Sequence, residues 1–200
     1  IVMTILDEVN DMNIPAWKKS QQFLRENKNV KIENGADGTG DILQIHNFEY
    51  CKQKYARSMH IITGDGGFDF SIDFNSQEQL SYKLILCEIL TNLYVQKKGG
   101  SFVCKLFDIY SIETIKLLFF LSCFYKEVYI HKPLTSRPAN SEKYIICKGF
   151  QGIDYAYLDA ICSVLDQELV DIFDYEVPKS FINQITDFNR ENTKYQIQTI

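Results

Sequence analysis

The sequence of 200 residues lacks the features that mark disulfide-rich or metal-binding proteins. It has no C-x-x-C pair, and its three histidines, at positions 46, 60 and 131, are dispersed. Its six cysteines, at positions 51, 87, 104, 123, 147 and 162, are separated from one another within apolar stretches. Scattered cysteines of this kind are typical of buried free thiols in a reducing compartment. We therefore predict no disulfide framework and no metal site.

Long apolar runs and an excess of positive charge are also lacking. The longest apolar run, at 117–125, is interrupted by Ser122 and is too short to cross the roughly 30 Å hydrocarbon core of a bilayer, so we expect no membrane partner. The 21 Lys and Arg residues are outnumbered by 26 Asp and Glu residues, which gives a formal net charge of −5. This balance argues against nucleic-acid binding by bulk positive charge, because such binding needs many cations that displace counterions. A local basic site is still compatible with it.

The residues that are present predict an α/β domain. With 46% hydrophobic residues, the chain can bury one substantial core. Short apolar runs alternate with segments of helical period, which is the pattern of a mostly parallel sheet flanked by helices. Strands are predicted at 1–6, 59–63, 101–107, 128–131 and 143–148, and helices at 16–26, 47–57, 76–98, 112–126 and 153–165. Because the sequence opens with Ile1 in a strand, we expect it to start inside a domain.

Several junctions carry local signals. The glycine pair at 99–100 is predicted to stop the long helix, and Ser111 to cap the next one. The last two strands are joined by a loop without a helix, so they should pair antiparallel and end the sheet in a hairpin. The polar segment from Pro178 onward has helical period and predicts a helix that leaves the sheet. We therefore divide the chain into a domain at 1–150 and a helical C-terminal extension at 151–200.

Three residues stand out because local structure does not require them. Lys105 lies in a strand that reads as buried on both faces, where an unpaired ammonium is costly, although a strand-end lysine can also reach solvent. Asp65 follows a strand at the edge where ligands bind in open α/β sheets, or it is an ordinary turn residue. Glu142 follows a loop with two prolines, or it is a surface carboxylate. Together, two carboxylates can hold and tune an amine that handles a proton.

Four sequence blocks resemble one known family. They are Gly64-Asp-Gly-Gly-Phe68, Asn75-Ser-Gln-Glu78, Gly99-Gly-Ser-Phe-Val-Cys-Lys-Leu-Phe-Asp108 and Lys132-Pro-Leu-Thr-Ser-Arg-Pro-Ala-Asn-Ser-Glu-Lys-Tyr144. In this order they resemble the FtsJ-type ribose methyltransferases, and most closely the branch that methylates the first transcribed nucleotide of capped messenger RNA. The resemblance covers the segment 1–150. It implies a Rossmann-like methyltransferase sheet whose first strand and glycine-rich fingerprint have no counterpart in this sequence.

The family transfers a methyl group from S-adenosylmethionine to a ribose 2′-hydroxyl and releases S-adenosylhomocysteine. The resemblance implies that Asp65, Lys105 and Glu142 belong to its catalytic set of lysine, aspartate, lysine and glutamate. The first lysine of that set has no counterpart, since Lys18 and Lys19 fall after the segment that should carry it. Lys105 would accept the hydroxyl proton or, as a cation, stabilise the developing alkoxide, and both roles stay open.

The resemblance also implies cofactor contacts. It assigns them to Asp41, Ile42, Asp65 and Gly66, with Asp41 expected to meet the adenine. The glycine-rich segment at 35–41 that ends in this aspartate has a simpler alternative, a turn or a calcium-like loop. The calcium alternative is weaker, because the segment lacks the later bidentate glutamate of a calcium loop.

Candidate RNA contacts lie in the fourth block, at Ser136, Arg137, Asn140 and Ser141. A guanidinium suits phosphate geometry, although a salt bridge that ties down the loop is the alternative for Arg137. The other three would hydrogen-bond ribose or cap the following strand. The expected function is 2′-O-methylation of capped messenger RNA in the nucleus, or in the cytoplasm for a viral protein. The alternatives are a ribosomal or transfer RNA substrate, and a catalytically inactive RNA-binding fragment.

Overall fold

The computed structural model describes residues 2–4, 21–67, 76–163, 165 and 172–199. The strands are β1 (Val2–Thr4), β2 (Lys31–Glu33), β3 (Met59–Gly64), β4 (Gln96–Leu106), β5 (Tyr125–His131) and β6 (Lys143–Phe150). The helices are α1 (Gln21–Glu26), α2 (Ile45–Tyr55), α3 (Gln77–Val95), α4 (Ile112–Ser122), α5 (Tyr155–Cys162) and α6 (Lys179–Thr199). The start of the predicted first helix, with Lys18 and Lys19, lies outside the described residues, as do Phe68 and Asn75.

Four strands form the main sheet, in the order β3–β4–β6–β5. β4 is parallel to β3, whereas β6 is antiparallel to both β4 and β5. The predicted α/β class is therefore confirmed, and so is the antiparallel pairing of the last two strands. Within that pair β6 lies inside the sheet, between β4 and β5. β1 and β2 pair in parallel as a separate two-stranded sheet.

The strand directions bring three chain segments to one edge of the main sheet. β3 and β4 are parallel and both end at this edge. β6 begins there, because Lys105 near the end of β4 pairs with Tyr144 near the start of β6. Residues that follow β3, end β4 or precede β6 therefore meet at the edge where ligands bind in open α/β sheets.

The hydrophobic core lies between the sheet and the helices that cover it. Leu90 of α3 is fully buried, and so are Phe102, Cys104 and Leu106 on one face of β4. The residues between them on β4, including Lys105, are partly exposed. The expectation that this strand is buried on both faces is therefore wrong, because side chains alternate between a buried and a half-buried face.

The glycine pair at 99–100 lies inside β4 and does not end α3, which already ends at Val95. Gly99 has a positive φ of 83°, and a Cβ at position 100 would lie 2.7 Å from the backbone oxygen of His60 on β3. The pairing register of β3 and β4 shifts at this point. The glycines therefore permit a bulge against a neighbouring strand, a requirement that the helical pattern before them does not reveal.

The predicted cap of α4 is confirmed. The Ser111 hydroxyl accepts a hydrogen bond from the Thr114 backbone N–H at 3.1 Å and caps α4. All six cysteines are free, with Cys123 exposed and the others buried. None of the helices in the described part of the chain is long and apolar enough to cross a membrane.

The predicted C-terminal helix is present as α6, and it packs against loops of the domain. The Asn189 side-chain amide donates to the Ile109 carbonyl oxygen at 2.9 Å, between β4 and α4. The Gln196 side-chain amide donates to the Asn140 carbonyl oxygen at 2.9 Å, in the loop before β6. α6 is therefore fixed against the loop that carries the candidate RNA contacts.

Candidate active site

Lys105 and Asp65 meet at the shared edge of β3 and β4. The Lys105 ammonium donates to the Asp65 carbonyl oxygen at 3.0 Å and lies 3.0 Å from the Asp65 Oδ1 atom. The Lys105 side chain is only 17% exposed, whereas that of Asp65 is 69% exposed. Lys105 therefore does not extend to solvent as a strand-end lysine would. Its ammonium is held by an aspartate that itself remains accessible.

Glu142 lies just before β6 and is surrounded by hydrogen-bond donors. The Ser136 hydroxyl donates to Glu142 Oε2 at 2.6 Å, and the Asn140 amide to the same atom at 3.2 Å. The Tyr144 hydroxyl donates to Glu142 Oε1 at 2.7 Å. These bonds, that from Ser136 foremost, and the charge of Lys105 lower the pKa of Glu142. The carboxylate thus stays ionised at neutral pH, and its partners make it more than a free surface charge.

Tyr144 links the two carboxylates. Its hydroxyl bonds to Glu142 Oε1 and also lies 3.5 Å from Asp65 Oδ1. Partial burial first, and then the two negative charges, raise the pKa of Tyr144, so the phenol remains a donor. Sequence reasoning missed this residue, although it lies only two positions after Glu142 and within the same sequence block. Asp65, Lys105 and Glu142 thus form one connected cluster.

Lys132 was also missed as a functional residue. Its ammonium donates to the carbonyl oxygen of Asn140 at 2.8 Å, to the Asn140 Oδ1 atom at 2.7 Å and to the Glu142 carbonyl oxygen at 2.8 Å. One cation at the end of β5 therefore closes the loop onto the start of β6. Desolvation lowers the pKa of Lys132. The sequence feature that could have identified Lys132 is its position at the start of the fourth sequence block.

Glu88 of α3 lies beneath the turn that carries Asp65. Its Oε1 atom accepts a hydrogen bond from the Gly66 backbone N–H at 2.9 Å, and the Cys104 thiol lies 3.4 Å from Oε2. A Cβ at Gly64 would lie 2.9 Å from the Glu88 carboxyl carbon, so glycine leaves room for this side chain. Burial raises the pKa of Glu88. Helical periodicity alone gave no signal for this role.

The predicted cofactor residue Asp41 ends a tightly hydrogen-bonded loop. Its Oδ1 atom accepts from the Leu43 backbone N–H at 2.9 Å, and Oδ2 accepts from the Gln44 amide at 3.2 Å. After desolvation, the charges of Asp41 and Glu88 contribute to raising the pKa of Cys87 to about 12, so both carboxylates lie within electrostatic reach of this thiol. The bonds to Leu43 and Gln44 fix the Asp41 side chain within its own loop.

The four predicted RNA contacts divide into two kinds. Ser136 and Asn140 hydrogen-bond to Glu142, and the Ser141 hydroxyl donates to the Gln77 Oε1 atom at 2.7 Å. These three side chains hold the loop in shape. Arg137 is exposed, and its guanidinium makes no hydrogen bond or ion pair with any residue that the structure describes. Among the residues 2–4, 21–67, 76–163, 165 and 172–199, Arg137 therefore has no partner for the salt bridge that was the alternative to an RNA contact.

Metal ligands are not grouped in the described part of the chain. No set of three or more His, Cys, Asp or Glu side chains there could hold a metal ion. The residues that gather at the sheet edge instead supply one amine, fixed carboxylates and hydroxyl donors. Such a set can orient a polar substrate and hold or move a proton.

Comparison with known proteins identifies the family. A model described as FtsJ-like methyltransferase matches residues 8–150. The chain is 40% identical over 128 residues to cap-specific mRNA (nucleoside-2′-O-)-methyltransferase 1 of Xenopus laevis, which is 61% of this chain and 15% of that protein. It is 39% identical over 143 residues to the Homo sapiens protein of the same name, which is 68% of this chain and 17% of that protein.

A solved structure, assigned to a ribosomal RNA methyltransferase from Plasmodium falciparum, aligns over 76% of this chain and 87% of its own, at 17% identity and a TM-score of 0.47. The chain spans only 15% to 17% of the length of the two curated relatives. The matched family segment nevertheless includes β3, β4 and β6 with the cluster at their shared edge. This chain belongs to the FtsJ-like methyltransferase family.

Proposed function

We propose that this chain is the catalytic part of an S-adenosylmethionine-dependent enzyme that methylates the ribose 2′-hydroxyl of the first transcribed nucleotide in capped messenger RNA, acting in the nucleus. The observation that carries this proposal is the position of Lys105. Its ammonium is 3.0 Å from Asp65 Oδ1 and within electrostatic reach of Glu142. The names of the curated relatives support capped RNA as the substrate.

The residues at this edge fit the implied cofactor. When bound, S-adenosylmethionine supplies an electrophilic methyl group on a positively charged sulfonium. Asp41, Ile42, Asp65 and Gly66 would hold it. The exposed Asp65 carboxylate suits a cation, and a Cβ at position 66 would lie 2.8 Å from the Leu84 Cδ2 atom, so glycine avoids crowding that side chain at the turn.

Lys105 is placed to act on the attacking hydroxyl. A ribose hydroxyl is a weak nucleophile, so much of the rate must come from positioning and from control of its proton. The Lys105 ammonium donates one hydrogen bond to the Asp65 carbonyl oxygen and forms an ion pair with the Asp65 carboxylate at 3.0 Å. We propose that the reacting hydroxyl lies against the same nitrogen. A neutral Lys105 amine would accept the hydroxyl proton on its lone pair, whereas the charged ammonium would stabilise the developing alkoxide through an N–H donor.

Glu142 acts through its fixed charge. Its two oxygens already accept from Ser136, Asn140 and Tyr144, so the side chain cannot swing away without breaking those bonds. An immobile anion near Lys105 orients the amine without a change in solvation during the reaction. The same bonds join the catalytic carboxylate to the loop that carries Arg137, whose exposed guanidinium can contact RNA phosphate.

The test is methyl transfer from labelled S-adenosylmethionine to short capped and uncapped RNA, with the full-length protein that contains this chain. We expect Lys105→Ala to reduce transfer by at least about a hundredfold, because a positioned acid or base contributes that much, while cofactor binding measured by equilibrium dialysis persists. Lys97→Ala is the matched control, since Lys97 is an exposed lysine at the other end of β4.

Each result bears on one part of the proposal. Turnover that survives Lys105→Ala would contradict the assignment of Lys105. Equal transfer to capped and uncapped RNA would mean that the cap is not recognised and that the substrate is RNA in general. A wild-type protein that binds RNA but transfers no methyl group would favour a catalytically inactive binding module.

A further inference from the structure

A groove between the loop before β6 and helix α6 has no role in the chemistry described above. Leu134 and Ser136 line it from the loop, and Phe188, Asn192 and Tyr195 line it from α6. Its volume is about 190 Å³. Pockets for whole drug-sized ligands measure roughly 300–1,000 Å³, so this groove suits one planar ring system and not an entire nucleotide.

The groove is continuous with the candidate active site. Ser136 lines the groove and also donates the 2.6 Å hydrogen bond to the Glu142 carboxylate. Lys132, another lining residue, is the cation that closes the loop onto Glu142. An RNA strand whose reacting ribose lies at Lys105 and Glu142 would therefore pass the groove with an adjacent nucleotide.

Both walls of the groove are held in place. The Gln196 amide of α6 donates to the Asn140 carbonyl oxygen at 2.9 Å, so the helix is tied to the loop. The Asn189 amide ties the middle of α6 to the Ile109 carbonyl oxygen at 2.9 Å. A site whose walls are fixed before binding loses less conformational entropy when a ligand enters.

The lining suits a nucleobase better than a phosphate. Tyr195 is 48% exposed and Leu134 is 98% exposed, which leaves apolar and aromatic surface in water beside the site. Glu191 at the groove would repel a phosphate, and the Lys132 ammonium that also lines it is already engaged by the Asn140 and Glu142 oxygens. Bases present a π face for stacking, and their edges can bond to polar groups such as the Asn192 amide.

We propose that this groove binds the base of a nucleotide next to the methylated one, stacked on Tyr195. The proposal rests on the proposed function, since it assumes that RNA reaches Glu142. It adds a substrate contact from α6, which lies outside the family segment at 8–150. The helical extension then serves as one wall of the RNA path.

The test combines protein and RNA changes. Tyr195→Ala should raise the KM for capped RNA about tenfold and leave kcat unchanged, because aromatic stacking contributes to RNA binding and not to the chemical step. Tyr195→Phe keeps the ring and should restore the wild-type KM. Ile197→Ala is the matched control, since Ile197 is 69% exposed on the same helix and does not line the groove.

A series of capped RNAs, each with one abasic nucleotide among the first four after the cap, identifies the base. One member should bind wild-type protein about tenfold more weakly, and Tyr195→Ala should weaken it no further. The stacking proposal is wrong if Tyr195→Ala weakens the binding of every abasic RNA as much as it weakens the binding of intact RNA. It is also wrong if Tyr195→Phe does not restore the wild-type KM. Fluorescence anisotropy with labelled RNA gives the same comparison without turnover, so failure of the groove is distinguished from failure of methyl transfer.

Discussion

Two glutamates lie within electrostatic reach of Lys105 and are held in opposite ways. Glu88 lies under the turn after β3, where burial raises its pKa. Glu142, in the loop before β6, receives three side-chain hydrogen bonds that lower its pKa. The same functional group is thus driven toward neutrality by desolvation and toward ionisation by donors. Under the proposed function, Glu142 would contribute charge to the reaction, whereas Glu88 supports the turn through its bond to the Gly66 N–H.

Among changes to these two glutamates and their supports, removing the charge of Glu142 should have the largest effect. Glu142→Gln keeps the size of the side chain and an oxygen that can accept from Ser136 or Tyr144, so the fold should persist. We expect kcat to fall about a hundredfold, because a fixed charge near the reacting group is lost. Single-turnover methyl transfer to capped RNA measures the effect.

The sheet offers a matched control for that variant. Glu127 on β5 accepts a hydrogen bond from Tyr129 at 2.7 Å, two residues away, as Glu142 does from Tyr144. Glu127→Gln should leave kcat within about twofold, as expected for an exposed carboxylate remote from the reaction. If both variants lose activity equally, charge at position 142 has no special role and the contrast between the two glutamates fails.

Releasing the loop around Glu142 should have an intermediate effect. Lys132→Met keeps much of the apolar stem but removes the three hydrogen bonds to the segment at 140–142. We expect kcat to fall about tenfold, because Glu142 keeps its charge but loses a fixed position. Limited proteolysis should then cut the loop faster. Lys126→Met, at an exposed position of β5, should change neither kcat nor the rate of proteolysis.

Glu142 could be predicted from the sequence better than Glu88. Asp65, Lys105 and Glu142 were identifiable because each lies next to a strand end and within a recognisable block. Glu88 and Tyr144 were not, because their roles depend on which groups face them across elements that are distant in the chain. The strand bulge at 99–100 was missed for the same reason, since it depends on contact with β3.

The position of α6 could be predicted only in part. Its helical period is visible from Pro178 onward, and the helix is present. Its packing depends on single side-chain bonds from Asn189 and Gln196 to backbone oxygens elsewhere. Hydrophobic periodicity describes a helix's own faces and does not identify such partners, so the groove beside the active site could not be foreseen.

The smallest expected effect on activity comes from Glu88→Gln, and it also tests the contrast in pKa. Glutamine can still accept the hydrogen bond from the Gly66 N–H, so kcat should stay within about threefold. The effect on stability should depend on pH. Because the folded-state pKa of Glu88 is raised above its ordinary value of 4.5, the stability it contributes is complete below that value and is lost as pH rises through the folded-state pKa.

Urea unfolding of wild type and Glu88→Gln at pH 5 and pH 8 measures that loss. The amide introduced by the substitution does not titrate, so the variant should gain stability relative to wild type between the two pH values, by about 1.4 kcal/mol for each pH unit of raised pKa that the interval covers. The charges that face this carboxyl are those of Asp65 and Lys105, and the Cys104 thiol, whose pKa is raised, stays neutral over this range. Glu142→Gln should show no such change between pH 5 and pH 8, because the stability from a lowered pKa is complete above 4.5 and is lost only as pH falls below that value. Equal pH dependence in the two variants would mean that burial and hydrogen bonding do not separate these glutamates.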